Sequence, residues 1–456
     1  MNRNDPNNAE ASPPAALMPL AGKRVTVLGL GRFGGGVGAC QWLCSQGARV
    51  TVSDLAPAEK LAESVAALAG LDVELHLGGQ REEDFTKADL LVVSPAVPPE
   101  AEPLKLAASA AVPQTTEINL FLARCRAQIV GITGAVGKST TTAMAGAVLA
   151  TTRTAHVGGN IGRSLLGDLD AIAPGHVVVL ELSSFQLERL PEIAVSPHVA
   201  LVTNLMPNHL DRHGTMEAYA SAKKNIFRFQ RPGDVLILSA ADPVTSRWAS
   251  EAAEGVKVAY FDPSAKPFEL SVVGEHNQAN AQAAWAVARQ FGVSRDVAAG
   301  ALKVFAGLEH RLQFVGEFSG VRYFNDSKCT TPAGAIVAAE SFAPGKAVMI
   351  VGGYDKHVSF DALGAVLAAR AKAVVALGAT ARAIAEAVRA ATAAQGPGNA
   401  GAAAVTVADS FERAVELARQ AAAPGDAVVL SPACASYDLF VNYEQRGRRF
   451  VELVTP

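Results

Sequence analysis

No two cysteines of this chain stand at the C-x-x-C spacing of a zinc knuckle or a redox pair, and their number is odd: Cys40, Cys44, Cys125, Cys329 and Cys434. Most lie in apolar or motif segments, which excludes a disulfide framework and predicts a reduced, cytosolic protein with free thiols. Neither sign of charge dominates, since 40 basic side chains meet 43 acidic ones. Without a basic excess there is no electrostatic footprint for nucleic acid or for an anionic membrane surface. No apolar run reaches the roughly 18 residues of a membrane span. The opening MNRNDPNNAEASPPAALMPL lacks a cationic start followed by an apolar stretch, which argues against a secretory signal. Its polar, Pro/Ala-rich composition predicts a disordered tail over residues 1–20. No internal repeat of solenoid length is present.

What the chain does have is apolar sequence in quantity, half of its 456 residues. That is enough for several cores, and the length favours three domains. Strand and helix patterns alternate almost throughout, the mark of an α/β protein with helix-covered parallel sheets. Strands are expected at Arg24–Leu30, Ala48–Asp54 and Asp89–Ser94, then a connecting helix in QTTEINLFLARCRAQ. A second unit opens with a strand at Gln128–Thr133 and continues through HVVVLEL, VALVTN and DVLILS, with helices near Glu217–Phe229 and from Asn277. A third unit begins around Glu309, with strands in RYFNDS, KAVMIVGG, KAVVALG and DAVVLSP. The Gly/Ala-rich AAQGPGNAGAAA before the last of these reads as a loop. The expected domains are residues 21–117, 118–308 and 309–456.

The sharpest chemical signal is GITGAVGKSTT, Gly131 to Thr141. A strand ends, glycines let the backbone wrap closely, and Lys138 and Ser139 open a helix. Such a turn aims amides and the positive helix end at phosphate oxygens, adds an ammonium, and offers a hydroxyl to Mg²⁺. The strict GxxxxGK[ST] pattern fails at one place, where Ile132 replaces its first glycine. Glu181 closes the apolar strand VVVLE, where a Mg²⁺ ligand belongs in such sheets, although an acid there also suits a turn cap. His209, in NLMPNHLDRHG, again follows an apolar strand and suits a metal or substrate contact. Lys223 lies in the helical YASAKKNIF; taken alone it is an ordinary surface lysine. GLGRFG (Gly29, Gly31, Gly34) follows a strand, with Asp54 ending the next strand, and resembles a dinucleotide turn. NDSKCTTP, GGYDKHVSF and SPACASYDLFVNYEQRG all follow expected strands of the third unit. They should gather at one sheet edge, with Lys328, Lys356 and Ser436 suited to an anionic ligand.

In order, GITGAVGKST, ELSSFQLE, NHLDRHG, EHNQANAQAA, LEHRLQ, NDSKCTTP and GGYDK resemble the sequence blocks of the Mur ligases. The resemblance covers nearly the whole chain past residue 20. The closing SPACASYDLFVNYEQRGRRF is most similar to the D-glutamate-adding branch. The resemblance implies a Rossmann-like N-terminal domain for the UDP part of UDP-N-acetylmuramoyl-L-alanine, a central ATPase and a C-terminal Rossmann-like domain for D-glutamate. It implies ATP bound by Gly134, Gly137, Lys138, Ser139, Thr140, Asn277, Asn280, Arg311 and Asp326. Two Mg²⁺ ions are implied at Ser139, Glu181, His209 and a carbamylated Lys223, with Lys138, Lys223 and His209 serving catalysis. The UDP substrate maps to Gly31, Arg32, Phe33, Asp54, Asn160 and His209. D-Glutamate maps to Lys328, Thr330, Lys356, Ser436 and Tyr443. A cytoplasmic monomer acting on small molecules, without nucleic acid or membrane insertion, is the expectation.

This sequence departs from the pattern in places. Ala135 and Val136 replace a usually polar pair, Asn208 stands where an aspartate commonly precedes the histidine, and the apolar Leu55 and Ala56 follow Asp54. Two other readings start from the same residues. A sister ligase would take another amino acid, which the closing block disfavours. A nucleotide-binding oxidoreductase built on GLGRFG and Asp54, or a non-enzymatic phosphate-loop switch, would leave the third unit's motifs without a role.

Overall fold

A computed structural model describes residues 14–32, 34–394 and 403–456. Phe33 and most of the Gly/Ala-rich loop, residues 395–402, lie outside the described residues, as do the first 13 positions of the expected tail. Residues 14–20 of that tail are not tail. Ala16 and Leu20 are buried, and the Met18 carbonyl accepts a bond from Arg124 Nη2 at 3.0 Å. Two small apolar groups with a core to enter outweigh the proline-rich composition that predicted disorder.

The described chain forms three sheets. The first orders β3-β2-β1-β4-β5, from β1 (Arg24–Leu28), β2 (Arg49–Asp54), β3 (Val73–Leu77), β4 (Leu90–Val93) and β5 (Gln114–Thr115). The second orders β11-β10-β9-β6-β8-β7, from β6 (Gln128–Thr133), β7 (Ala155–Gly159), β8 (Val177–Glu181), β9 (Val199–Val202), β10 (Val235–Ser239) and β11 (Lys257–Phe261). The third orders β12-β13-β17-β14-β15-β16, from β12 (Gln313–Phe318), β13 (Val321–Asn325), β14 (Ala347–Val351), β15 (Ala371–Ala376), β16 (Ala404–Val407) and β17 (Ala427–Leu430). Pairing is parallel except for β12 against β13. The first two sheets fall in one compact unit, Met1–Ala265 with Asn280–Ala298; the third lies in the other, Lys266–Ala279 with Ala299–Pro456.

Central strands such as β8, β9, β14 and β17 are buried at every position, as strands covered on both faces must be. These are the apolar runs that sequence reading finds. The strands it misses, β3, β5, β7, β11, β12 and β16, all occupy sheet edges. An edge strand needs to bury little, and β16 is mostly exposed, so no apolar run marks it.

The turn after β1 departs from the expected glycine roles. Gly34 has φ +82° at the helix start, but the glycine that fixes how closely helix Gly35–Ser45 approaches β1 is Gly36. A Cβ there would sit 2.2 Å from the Leu30 carbonyl oxygen, whereas one at Gly35 would meet nothing within 4 Å. Gly36→Ala should therefore cost at least about 2 kcal/mol by overpacking against backbone. Gly35→Ala should be neutral within about 0.5 kcal/mol, since it changes an open surface position. Urea unfolding of both variants checks this; equal stabilities would refute the packing assignment.

Candidate active site

The first compact unit gathers Lys138, Glu181, Lys223 and His209 around the carboxyl ends of β6, β8 and β9. Register alone does much of this. Ile132 pairs with Glu181 on one side of β6, and Thr133 pairs with Val202 on the other. Beyond Thr133 the chain turns through Gly134 at φ +146°, where a Cβ would lie 1.9 Å from Thr203 Oγ1. Only glycine fits so close a strand neighbour. Asn204 Oδ1 accepts from the amides of Ala135 (3.2 Å) and Val136 (3.0 Å), and Thr203 Oγ1 donates to the Val136 carbonyl. The apolar pair that replaces the expected polar one is thus held by backbone. Gly137, at φ +83°, starts helix Lys138–Leu149 with no side-chain cap. Its first-turn amides have no partners within the helix, the arrangement that receives phosphate oxygens. Asn280 lies beneath this turn: its Oδ1 accepts from Thr141 Oγ1 at 3.2 Å and would stand 2.5 Å from a Gly137 Cβ.

Lys223 is not the surface lysine its helix suggested. It is 1% exposed, and its Nζ donates to the Gly134 carbonyl at 2.8 Å and to Thr133 Oγ1 at 3.4 Å. The amine also stands 4.5 Å from the centre of the Tyr219 ring. Burial away from water, and then the nearby Lys138 charge, push its pKa down to about 6 against a smaller opposing pull from Glu181. Glu181 is buried as well. Asn160 Nδ2 donates to its Oε1 at 2.8 Å, while Oε2 is buried without a hydrogen-bond partner among the described residues. The backbone packs equally tightly here, since a Cβ on Gly159 would meet the Glu181 carbonyl at 2.3 Å. His209 sits in the left-handed region at φ +54°, exposed, with its amide on Asn208 Oδ1. Its ring meets Phe185 at 5.0 Å and Tyr219 at 6.4 Å, so it shares Tyr219 with Lys223. Partial burial and the charge of Lys138 lower its pKa.

An orphaned buried carboxylate oxygen at the end of β8 and the hydroxyl of Ser139, in the first turn of the helix that follows β6, are hard-oxygen donors that suit Mg²⁺. No cluster of three His, Cys, Asp or Glu able to hold a metal exists among the described residues.

Elsewhere in this unit, Asp54 holds its own loop. Its Oδ2 accepts from the amides of Leu30 (2.9 Å) and Gly31 (3.2 Å), and its Oδ1 from Ala56 (2.8 Å). Leu55 beside it is 68% exposed, and Arg32 is exposed too. A cavity of about 480 Å³ runs from Ser94 and Val97 past Leu104 to Phe185 and Arg212, next to His209.

In the second unit, Asp326 directly follows β13 and is 7% exposed. It accepts from Ser431 Oγ at 2.8 Å and from the Leu312 amide at 3.2 Å, tying the ends of β13 and β17 together. Burial pushes its pKa up to about 6. Lys328 Nζ lies 5.5 Å from the Tyr443 ring centre, Ser436 is buried, Thr330 is half-buried, and Lys356 and Arg311 are exposed. Asn277 Nδ2 donates to the Val273 carbonyl at 2.7 Å. Sequence reasoning missed Thr203, Asn204 and Tyr219, whose placing follows only from strand register and burial. It also missed Arg446, discussed below.

Fold and loop together define a multidomain α/β protein of the phosphate-loop class. Three family models match it: "Mur ligase MurD-like, N-terminal domain" over residues 23–115, "Mur ligase middle domain" over 132–267, and "Mur ligase, glutamate ligase domain" over 310–434. The chain belongs to the Mur ligase family. A relative from Roseiflexus sp. (strain RS-1), named UDP-N-acetylmuramoylalanine–D-glutamate ligase, is 40% identical over 96% of this chain and 99% of its own. A protein of the same name from Symbiobacterium thermophilum is also 40% identical, over 95% and 98%. Among solved structures, the UDP-N-acetylmuramate-alanine ligase MurC of Thermotoga maritima shares the fold with a TM-score of 0.62 at 20% identity, covering 94% of this chain and 98% of that one.

The Lys223 geometry sets a pH dependence. Its amine is neutral in the folded chain above about 6, whereas in the unfolded chain it is charged up to its ordinary value of 10.5. The unfolded state therefore binds the extra proton, and stability rises with pH across that window by about 1.4 kcal/mol per unit, so it is lost as pH falls toward 6. Lys223→Met removes this penalty. In CO₂-free buffer its stability relative to the parent should rise by that amount per unit as pH drops from about 9 to about 7. Parallel pH curves in urea unfolding would mean that Lys223 is charged in the fold.

Proposed function

We propose that the chain joins D-glutamate to the L-alanyl carboxylate of UDP-N-acetylmuramoyl-L-alanine, with ATP converted to ADP and phosphate. The observation that carries the reading is the 40% identity, over nearly full length, to ligases bearing that name. The buried Lys223 and Glu181 beside an intact phosphate turn support it.

A carboxylate is a poor electrophile because its charge is delocalised. Transfer of the ATP γ-phosphoryl group to a carboxylate oxygen makes an acyl phosphate. The neutral amine of D-glutamate then attacks the carbonyl carbon, the C–N bond forms as the nitrogen gives up one proton, and the C–O bond breaks so that phosphate leaves with the carboxylate's former oxygen. Such transfer needs positioning and charge neutralisation more than covalent help. The amides of the Gly134–Thr140 turn and the Lys138 ammonium hold the phosphates, with Asn277, Asn280, Arg311 and Asp326 assigned to the nucleotide. Ser139, Glu181, His209 and Lys223 are assigned to two Mg²⁺ ions, which when bound neutralise charge on the transferred group.

Lys223 fits its assignment because a neutral, desolvated amine is the form that attacks CO₂. Nitrogen adds to the CO₂ carbon, a proton leaves, and an anionic carbamate results. Residues 21–117 are assigned to the UDP substrate through Gly31, Arg32 and Phe33, with Asp54 acting through the loop it holds and with Asn160 and His209 of the central domain as further contacts. Residues 118–308 are assigned to ATP, and 309–456 to D-glutamate through Lys328, Thr330, Lys356, Ser436 and Tyr443. The enzyme is taken to act as a cytoplasmic monomer.

Phosphate release with ATP, Mg²⁺ and UDP-N-acetylmuramoyl-L-alanine should depend on D-glutamate and be negligible with L-glutamate, L-alanine or L-lysine. Dependence on another amino acid would make the chain a sister ligase. Lys138→Ala should lower kcat by at least about a hundredfold, as expected for losing one charge-stabilising donor. Lys223→Ala should nearly abolish turnover without recovery in bicarbonate. Near-normal rates in either variant would overturn the site assignment.

A further inference from the structure

Helix Tyr443–Val454 carries a buried cation that the proposed chemistry does not use. Arg446 is 3% exposed in the second unit. Its Nε donates to Ser327 Oγ at 3.0 Å, and its Nη2 donates to the carbonyls of Ser327 (2.8 Å) and Cys434 (3.0 Å). Ser327 belongs to the loop after β13, and Cys434 to the loop after β17. The third strand-end loop is close too, since a Cβ on Gly353 would stand 3.3 Å from Arg446 Nη1 and 2.4 Å from the Ala435 carbonyl. The Tyr354 amide donates to that same Ala435 carbonyl at 2.9 Å. One guanidinium thus underlies all three loops that bear Lys328, Lys356 and Ser436.

Its bonding is unusual for a buried charge. Each hydrogen bond goes to a neutral oxygen, and no ion pair to Arg446 exists among the described residues. The acids that attract it bond elsewhere: Asp438 to the Ala379 amide, and Asp326 to Ser431 and Leu312. Burial accordingly lowers its pKa to about 10, still well above neutrality. A buried charge without a counter-ion costs stability, so its retention calls for another role. The helix is fixed around it. Ser327 Oγ donates to the Tyr443 carbonyl at 2.8 Å, and Asn325 Nδ2 donates to the Gly447 carbonyl at 3.1 Å. A Cβ on Gly447 would strike His310 at 2.2 Å.

We propose that Arg446 is a positioning residue for the amino-acid site: it fastens the Ser327 and Cys434 loops to one another, beside the Gly353 loop, and places a fixed positive charge beneath them that favours a dicarboxylate amino acid. The inference rests on the assignment of these loops to D-glutamate. Lysine cannot replace it, because a single ammonium lacks the planar fork that reaches Ser327 and Cys434 together.

The test compares parent enzyme, Arg446→Lys and Arg446→Ala. Circular dichroism first checks that each variant folds, and the lysine variant carries the test if the alanine variant does not. In the free protein, amide hydrogen exchange over residues 326–330 and 431–436 should quicken in the variants. Steady-state kinetics should show the KM for D-glutamate rising about tenfold or more, the scale of losing hydrogen bonds to a charged group, while the KM for ATP stays within about twofold. Methylguanidine should partly restore the D-glutamate KM of the alanine variant. Unchanged exchange, or equal rises in both KM values, would overturn the proposal. A parent enzyme indifferent to D-glutamate would overturn the substrate assignment instead, and the exchange result alone would then decide whether Arg446 fastens the loops.

Discussion

The Gly134 carbonyl accepts a bond from Lys223 at 2.8 Å, at a point where the backbone passes so close to Thr203 that no side chain fits. Both facts follow from parallel pairing, because β6 lies between β8 and β9 and all three end at the same level. The phosphate turn must leave β6 over the end of β9, Glu181 must stand at the end of β8, and the Lys223 amine must fill the space under the turn. Asn204 and Asn280 brace the turn from opposite ends, at Ala135–Val136 and at Gly137. These contacts hold the turn in its bound-like path through its own backbone, which reduces the ordering that phosphate binding has to supply.

The second unit solves a similar problem with side chains. Its three loops also leave parallel strand ends; Gly352 and Gly353 pack one of them against the Leu377 and Ala435 backbone, and side chains tie the other two. Asp326 ties β13 to β17 through Ser431, and Arg446 ties the Ser327 and Cys434 backbones. A buried acid and a buried base, each satisfied mainly by neutral groups, add to the close backbone packing at Gly352 and Gly353. Their desolvation raises the acid's pKa and lowers the base's, as burial alone dictates.

Legibility in the sequence followed burial. Strands covered on both faces, such as Gln128–Thr133, are apolar runs with sharp ends and were readable to the residue. The edge strands β3, β7, β11, β12 and β16 carry mixed residues because solvent takes one side or more, so no run announces them. Motif residues were legible as a set, but their state was not. Lys223 reads as one of two adjacent helical lysines, and only packing shows that it is buried while Lys224 reaches Glu251 at 29% side-chain exposure. Likewise the glycine pattern at Gly29, Gly31 and Gly34 marks a tight turn, while the close-packing role falls to Gly36, outside the pattern. Contacts between residues far apart in sequence carry no local signal.

The replacement of an acid by Asn208 acquires a meaning beside Lys223. Asn208 Oδ1 is occupied by the His209 amide, so it brings no charge toward the phosphate turn. Glu181 supplies one negative charge there, against the positive charge of Lys138. A lysine held neutral by burial removes a second repelling cation from the same space. If CO₂ adds to it as proposed, the position changes from neutral to anionic and returns the charge that Asn208 lacks. On that proposal the one departure at Asn208 is offset by the position that follows the pattern: a carbamate on Lys223 would bring the oxygen ligand and the charge that Asn208 does not.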